Sequence, residues 1–319
     1  MAKVEILSLD SFPAKTRESL DALFTRHDHG HGDTPVPPAI AERVRGIARG
    51  GHSPIGQSLM EQLPRLEIVA NFGVGYDGID LAYAAGRGIV VTNTPDVLTE
   101  EVADTALGLL LMTVRELPAA ERHLRAGKWP TEGPWRLTPT LRDRTVGIIG
   151  LGRIGMTIAR RLEAMKVPVV YHARHKRDDA PYPYFASLRD MAAAVDTLLV
   201  VIPGNAGTRN LVDKGILEAL GANGILINIG RGIVVDEDAL IDALRNRTIL
   251  AAGLDVFASE PHVSPALVAL DNAVLLPHVG SATVHTRNAM GHLMFDNLKS
   301  WFETGKPMTP VPETPWPRK

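Results

Sequence analysis

The chain has 319 residues, 45% of them apolar and 22% charged, with a net charge of −2. That length predicts two domains instead of one core, and the near-neutral balance gives no basic field to hold nucleic acid or anionic lipid. There is no cysteine, which excludes disulfides, thiolate nucleophiles, Cys-ligated zinc and iron–sulfur clusters, and fits a reducing compartment.

The amino terminus, Met1 to Leu7, carries charges inside its apolar run and has no small-residue cleavage site, so it reads as a first strand and not as a signal peptide. Strands are predicted over 4–9, 68–70, 89–92, 145–149, 169–172, 197–202, 224–228, 251–255 and 274–276, with helical patterns between them. Continuous apolar strands suit a parallel sheet covered on both faces, and the alternation predicts a doubly wound α/β fold. After the first strand, His27-Asp28-His29-Gly30-His31 has the residue types of a metal site. It sits in a Gly/Pro-rich stretch without spaced partners, so a solvated loop is expected and no metal.

Thr99 is a predicted N-cap, with Glu100 and Glu101 in the first turn of a helix that runs to about Leu117 and connects two blocks. Its run from Ala106 to Val114 is the longest apolar stretch and reads as buried helix; no run approaches the ~18 residues of a membrane span. A cytoplasmic protein is expected. The segment after this region carries Trp129 and Trp135, exposed loop tryptophans of the kind that dimer contact would explain. An amphipathic pattern from Ala282 to Phe302, before a proline-rich tail, reads as a return to the first block. The expected domains are therefore 1–98 plus 286–319, and 99–285.

The strand ending at Ile149 runs into Gly150-Leu151-Gly152-Arg153-Ile154-Gly155 and then a helical pattern to Met165. G-x-G-x-x-G in that context is a dinucleotide fingerprint. Gly150 permits the turn, Gly152 admits a pyrophosphate to the backbone, and Gly155 lets helix and strand pack closely. An NAD site would place an acid at the end of the next strand, but none occurs from Ala164 through Arg177. His172-Ala173-Arg174-His175-Lys176-Arg177 stands there instead, and Arg174, with His175 and Lys176, suits the 2′-phosphate of NADP(H).

Three later segments fall near strand ends: Asn228-Ile229-Gly230-Arg231-Gly232, Gly253 to Pro261, and Leu276-Pro277-His278-Val279-Gly280-Ser281-Ala282. With Asn71-Phe72-Gly73-Val74-Gly75-Tyr76-Asp77, Asn93-Thr94-Pro95 and Val102-Ala103-Asp104-Thr105, they resemble the D-isomer-specific 2-hydroxyacid dehydrogenase family. The resemblance covers nearly the whole chain and is greatest to the NADPH-linked glyoxylate/hydroxypyruvate reductases. It implies a Rossmann-type nucleotide domain and a flavodoxin-like substrate domain with a cleft between them, a homodimer, and reduction of small 2-keto acids. It further implies cofactor contacts at Thr105, Leu151, Arg153, Ile154, Ile202, Pro203, Thr208, Ile229, Gly230, Arg231, Asp255, His278 and Gly280. Backbone N–H groups of Val74 and Gly75 would hold the substrate carboxylate, and a tryptophan of the 127–135 region would reach the partner's pocket.

The residues themselves suit that chemistry. Arg231 offers a fork matched to a carboxylate, His278 a proton near working pH, and Glu260 a hydrogen bond that fixes the imidazole and favours its protonated form. His262, beside Glu260, reads as a surface residue. A non-catalytic nucleotide sensor, like the corepressors that resemble this family, is the alternative; the neutral surface and lack of partner-binding tails count against it. Formate dehydrogenases resemble the family with glutamine where Glu260 stands, and phosphoglycerate dehydrogenases often carry a further regulatory domain for which this chain ends too soon.

Overall fold

The computed structural model describes residues 3–32, 34–51 and 53–317; Met1 and Ala2 of the amino-terminal run, and Arg318 and Lys319 of the tail, lie outside them. The chain forms two compact units, Met1–Leu98 with Ala282–Lys319, and Thr99–Ser281.

The first unit is built on five parallel strands: β1 (Glu5–Leu9), β2 (Thr25–His29), β3 (Val44–Arg49), β4 (Ile68–Asn71) and β5 (Val90–Thr92). Their order, β2-β1-β3-β4-β5, is that of flavodoxin-like sheets. β4 and β5 are buried throughout and β1 and β3 nearly so, as apolar strands covered on both faces must be.

β2 corrects the expectation of a loop at His27–His29. Its residues, Thr-Arg-His-Asp-His, are polar because it is an edge strand, paired on one side only, where charged side chains blunt further pairing. His27 Nε2 lies 2.8 Å from Glu5 Oε2, and His29 Nε2 lies 2.9 Å from Thr34 Oγ1. Among the described residues no group of three His, Asp or Glu side chains is placed to hold a metal ion.

β3 is likewise absent from the predicted strands, because Arg45, Gly46 and Arg49 interrupt its apolar pattern. A Cβ on Gly46 would stand 3.2–3.3 Å from Phe302 and Leu298, so the bare backbone lets the Val284–Thr304 helix press onto the sheet. Thr283 caps that helix by accepting from the Thr286 N–H, and Met290, Met294, Leu298 and Trp301 are buried on it.

The second unit holds seven parallel strands: β6 (Val146–Ile149), β7 (Val169–His172), β8 (Tyr184–Phe185), β9 (Thr197–Val200), β10 (Ile225–Asn228), β11 (Ala251–Leu254) and β12 (Ala273–Leu275). The order is β12-β11-β10-β9-β6-β7-β8, with the direction of winding reversing between β6 and β9. Doubly wound sheets bind ligands at the carboxyl ends of their strands at such a reversal. β8, two residues long, carries too little pattern to read in sequence.

The connecting helix runs over Thr99–Val114 and stops there, short of Leu117. Glu116 takes a left-handed φ of 51° and precedes a second helix, Leu117–Arg125. On the first helix Leu109, Leu110 and Thr113 are buried, and Gly253 of β11 admits it closely: a Cβ there would meet Thr113 Oγ1 at 2.4 Å. Among the described residues no helix is long and apolar enough to cross a membrane.

Candidate active site

Gly150, at the end of β6, has φ +98°, a conformation costly for any other residue. A Cβ there would stand 2.3 Å from Ile202 Cγ2, and one on Gly155 would fall 2.1 Å from the Gly150 carbonyl oxygen. Gly152 faces open space and is the N-cap of the Arg153–Ala164 helix, without a side chain to cap it. The first turn of that helix, containing Arg153 and Ile154, thus presents N–H groups with no intrahelical acceptor, and its dipole favours an anion. These features fit a dinucleotide pyrophosphate.

At the end of β7, Arg174, His175 and Lys176 are exposed, and none forms an ion pair or hydrogen bond with another described residue. Arg177 differs from them. Its guanidinium meets Asp179 at 2.6 and 2.8 Å and donates to the Leu151 carbonyl at 2.8 Å. That hydrogen bonding holds the Asp179 carboxyl below its ordinary range. Within the run Arg174-His175-Lys176-Arg177, the guanidinium of Arg177 is therefore already matched.

Ile202 and Pro203 follow β9 at the winding reversal, and Thr208 Oγ1 donates to the Pro203 carbonyl at 2.9 Å. Beside them the loop after β10 is shaped by Asn228, whose Oδ1 accepts from Gly230 N and whose Nδ2 donates to the Arg231 carbonyl, both at 3.0 Å. Gly230 passes the Ile202 backbone so closely that a Cβ would stand 2.8 Å from its oxygen. Ile229 is buried and Arg231 half-buried at the head of a short 3₁₀ turn.

Asp255 ends β11 and is 1% exposed. Its Oδ1 accepts from Val279 N at 2.7 Å and its Oδ2 from Gly280 N at 2.9 Å. Burial pushes this carboxyl above its ordinary value, opposed by those two N–H groups. Thr105 Oγ1 donates to the Gly280 carbonyl at 3.2 Å, so three of the residues assigned to the cofactor brace one another.

The loop so braced carries His278, with φ +52°, unusual for a residue with a side chain. Its Nδ1 lies 2.7 Å from Glu260 Oε2, and Glu260 Oε1 accepts from Phe257 N at 3.0 Å. Because a carboxylate only accepts, the Nδ1 proton is fixed on the side facing Glu260. His262 is exposed.

In the first unit Val74 and Gly75 follow β4. The carbonyls around them are held: Asn71 Nδ2 donates to Gly73 O at 3.1 Å and Gly75 O at 2.9 Å, and Asn93 Nδ2 to Val74 O at 3.0 Å. Among the described residues nothing accepts from the N–H of Val74 or of Gly75. Sequence reasoning does not identify Asn71, Asn93 and Asn228 as loop anchors; for Asn71 and Asn228 the available signal is an asparagine closing an apolar strand shortly before a glycine.

The family described as D-isomer specific 2-hydroxyacid dehydrogenase, NAD binding domain, matches residues 107–280. The chain is 48% identical over 268 residues to a glyoxylate/hydroxypyruvate reductase A of Arabidopsis thaliana, covering 84% of this chain and 85% of that protein. It is 39% identical to a 2-ketogluconate reductase of Gluconobacter oxydans, covering 97% and 99%. A crystal structure of an NADPH-dependent glyoxylate/hydroxypyruvate reductase from Sinorhizobium meliloti, in complex with NADP and malonate, superposes with a TM-score of 0.96 at 53% identity. It covers 100% of this chain and 99% of that one.

Proposed function

Because the chain belongs to the D-isomer-specific 2-hydroxyacid dehydrogenase family, we propose that it reduces small 2-keto acids such as glyoxylate or hydroxypyruvate with NADPH. The observation that carries this reading is the His278–Glu260 pair at 2.7 Å, on a loop that Asp255 anchors to the sheet of the nucleotide fingerprint. The Sinorhizobium protein, similar over its whole length, is described as NADPH-dependent and holds NADP, which supports the choice of cofactor. Residues 1–98 with the carboxy-terminal helix form the proposed substrate domain, and the Thr99–Ser281 unit the nucleotide domain.

Gly150 to Ile154 would hold the pyrophosphate, and Arg174, His175 and Lys176 the 2′-phosphate. Ile202, Pro203, Thr208, Ile229, Gly230, Asp255 and Gly280, with Thr105 behind them, would border the rest of the cofactor. When bound, NADPH supplies the hydride. Arg231 pairs with the substrate carboxylate and polarises the carbonyl. In the first unit the N–H groups of Val74 and Gly75 are donors suited to a carboxylate. His278 gives a proton from Nε2 to the nascent alkoxide, and Glu260 stabilises the imidazolium that does so. A panel of 2-keto acids with NADPH, followed by loss of nicotinamide absorbance, tests this reading; turnover of none of them removes it.

Glu260→Gln keeps the shape of the pair but takes away the negative charge 2.7 Å from the His278 ring. Positive charge developing on the ring then loses its partner, so kcat for reduction falls about tenfold or more while NADPH affinity holds. A kcat within about twofold of wild type would show that the carboxylate does not act on His278.

A homodimer in the cytoplasm completes the proposal. No residue of the Leu117–Arg125 helix is buried, and along this stretch of chain Leu124, Trp129 and Leu137 are 56, 57 and 100% exposed, apolar side chains that a second copy would cover. The two tryptophans differ. Trp135 is half-buried in its own unit, donates to Glu116 Oε2 at 3.2 Å and meets His123 edge-on. If it also reaches a partner's substrate pocket, Trp135→Ala changes kcat/KM for bulky keto acids relative to glyoxylate. Equal changes for all substrates would leave it only a packing role.

A further inference from the structure

The Val74 and Gly75 N–H groups can hold an anion only if their peptide planes are turned the right way. A peptide is planar and trans, so fixing its carbonyl oxygen fixes the direction of the N–H at its other end. The Val74 N–H shares its plane with the Gly73 carbonyl. That oxygen accepts from Asn71 Nδ2 at 3.1 Å and from Thr94 N at 3.0 Å. The Gly75 N–H shares its plane with the Val74 carbonyl, which accepts from Asn93 Nδ2 at 3.0 Å.

The asparagines are themselves held. Asn71 is 1% exposed, and its Oδ1 accepts from Arg49 Nη1 at 2.8 Å. Arg49 is 2% exposed and also donates from Nε to the Ser53 carbonyl at 2.7 Å. Ser53 Oγ in turn donates to Asp10 Oδ1 at 2.6 Å. On the other side the Asn93 carbonyl accepts from Thr309 Oγ1 at 2.6 Å, and Asn297 Nδ2 donates to that same hydroxyl at 2.9 Å.

We infer that Asn71 and Asn93 are positioning residues that aim the two carboxylate-binding N–H groups, and that buried Arg49 acts through Asn71. This rests on the proposed reaction. The guanidinium draws electron density from the Asn71 amide, and the amide draws it from the Gly73–Val74 peptide. Each link thereby makes the next N–H a better donor, as hydrogen bonds in series do. Burial gives the chain its effect, since water would otherwise substitute for any link.

Asn71→Asp isolates the relay. The carboxylate still accepts from Arg49, more strongly than before, but has no N–H for the Gly73 and Gly75 carbonyls and faces them with like charge. KM for glyoxylate should rise about tenfold or more, the loss expected when buried acceptors go unmet. kcat at saturation should change less, and NADPH affinity, measured by fluorescence titration, should stay within about twofold. A merely structural role would instead lower the melting temperature and affect the cofactor equally. Arg49→Lys should shift KM the same way and carries the test if N71D does not fold. Competition or quenching by malonate on the NADPH-loaded protein reads the carboxylate site without turnover. Malonate affinity and glyoxylate KM within about twofold of wild type in both variants would overturn the relay. A wild type that binds malonate, loses that binding in the variants and yet reduces no keto acid would uphold the relay and overturn the proposed reaction.

Discussion

His278→Ala lowers kcat for keto-acid reduction by about 10²–10⁴-fold, the usual contribution of a positioned general acid, and leaves NADPH affinity within about threefold. Nδ1 is committed to Glu260 at 2.7 Å, so the ring is held in one orientation and its remaining nitrogen in one place. Removing the imidazole leaves the nascent alkoxide to water. The backbone proposed to border the cofactor changes little, because Val279 and Gly280 are anchored by Asp255 through their own N–H groups and not through the His278 side chain. Steady-state rates and a cofactor titration check both halves. A variant that keeps more than about a third of wild-type kcat would take His278 out of the proton-donor role.

Arg174→Ala weakens NADPH by about 10–100-fold and NADH by less than about threefold. A charge-assisted hydrogen bond to the 2′-phosphate is worth ~1.5–3 kcal/mol, and each 1.4 kcal/mol is about tenfold in affinity. NADH has no such phosphate to lose. Arg177 does not replace Arg174, since Asp179 and the Leu151 carbonyl already occupy it. The exposed His175 and Lys176 are the side chains that can share the phosphate, so their combined removal with Arg174 gives the larger effect. Added salt weakens NADPH more than NADH, because an exposed phosphate site is screened. The measurement is the ratio of kcat/KM for the two cofactors in wild type and variant. A wild type that prefers NADH, or a mutation that lowers both alike, would reduce the cationic patch to solvated surface.

The legible parts of the sequence are those in which one residue type has one reason to stand where it does. Gly150 and Gly155 can be read because a side chain at either would collide with the turn or strand beside it. β6, β9 and β10 can be read because strands buried on both faces are apolar with little interruption. β2 cannot, since an edge strand has no inner run of apolar residues, and its two histidines resemble a loop. β3 is hidden by Arg49, whose burial makes sense only once Ser53 and Asn71 are seen around it. The site divides in the same way. Arg231, Glu260 and His278 carry chemistry in their side-chain types and stand out. The asparagines that shape the loops at Val74, Gly75 and Arg231 act through backbone groups, and no spacing announces which backbone group an amide will meet.

The Val284–Thr304 helix lies almost at the end of the chain yet presses on β3 and β4, which come near its beginning. The Thr99–Ser281 unit, by contrast, is one uninterrupted stretch. During synthesis, amino terminus first, the middle of the protein can therefore close around its own core as soon as it emerges. The first sheet must wait for the cover that this helix gives β3 and β4 until the whole of that middle stretch has been made. Long-range closure of this kind is slow, and an unfinished parallel sheet is the species most exposed to aggregation. The vulnerable period in the life of this protein thus belongs to its earliest residues, and the last helix ends it.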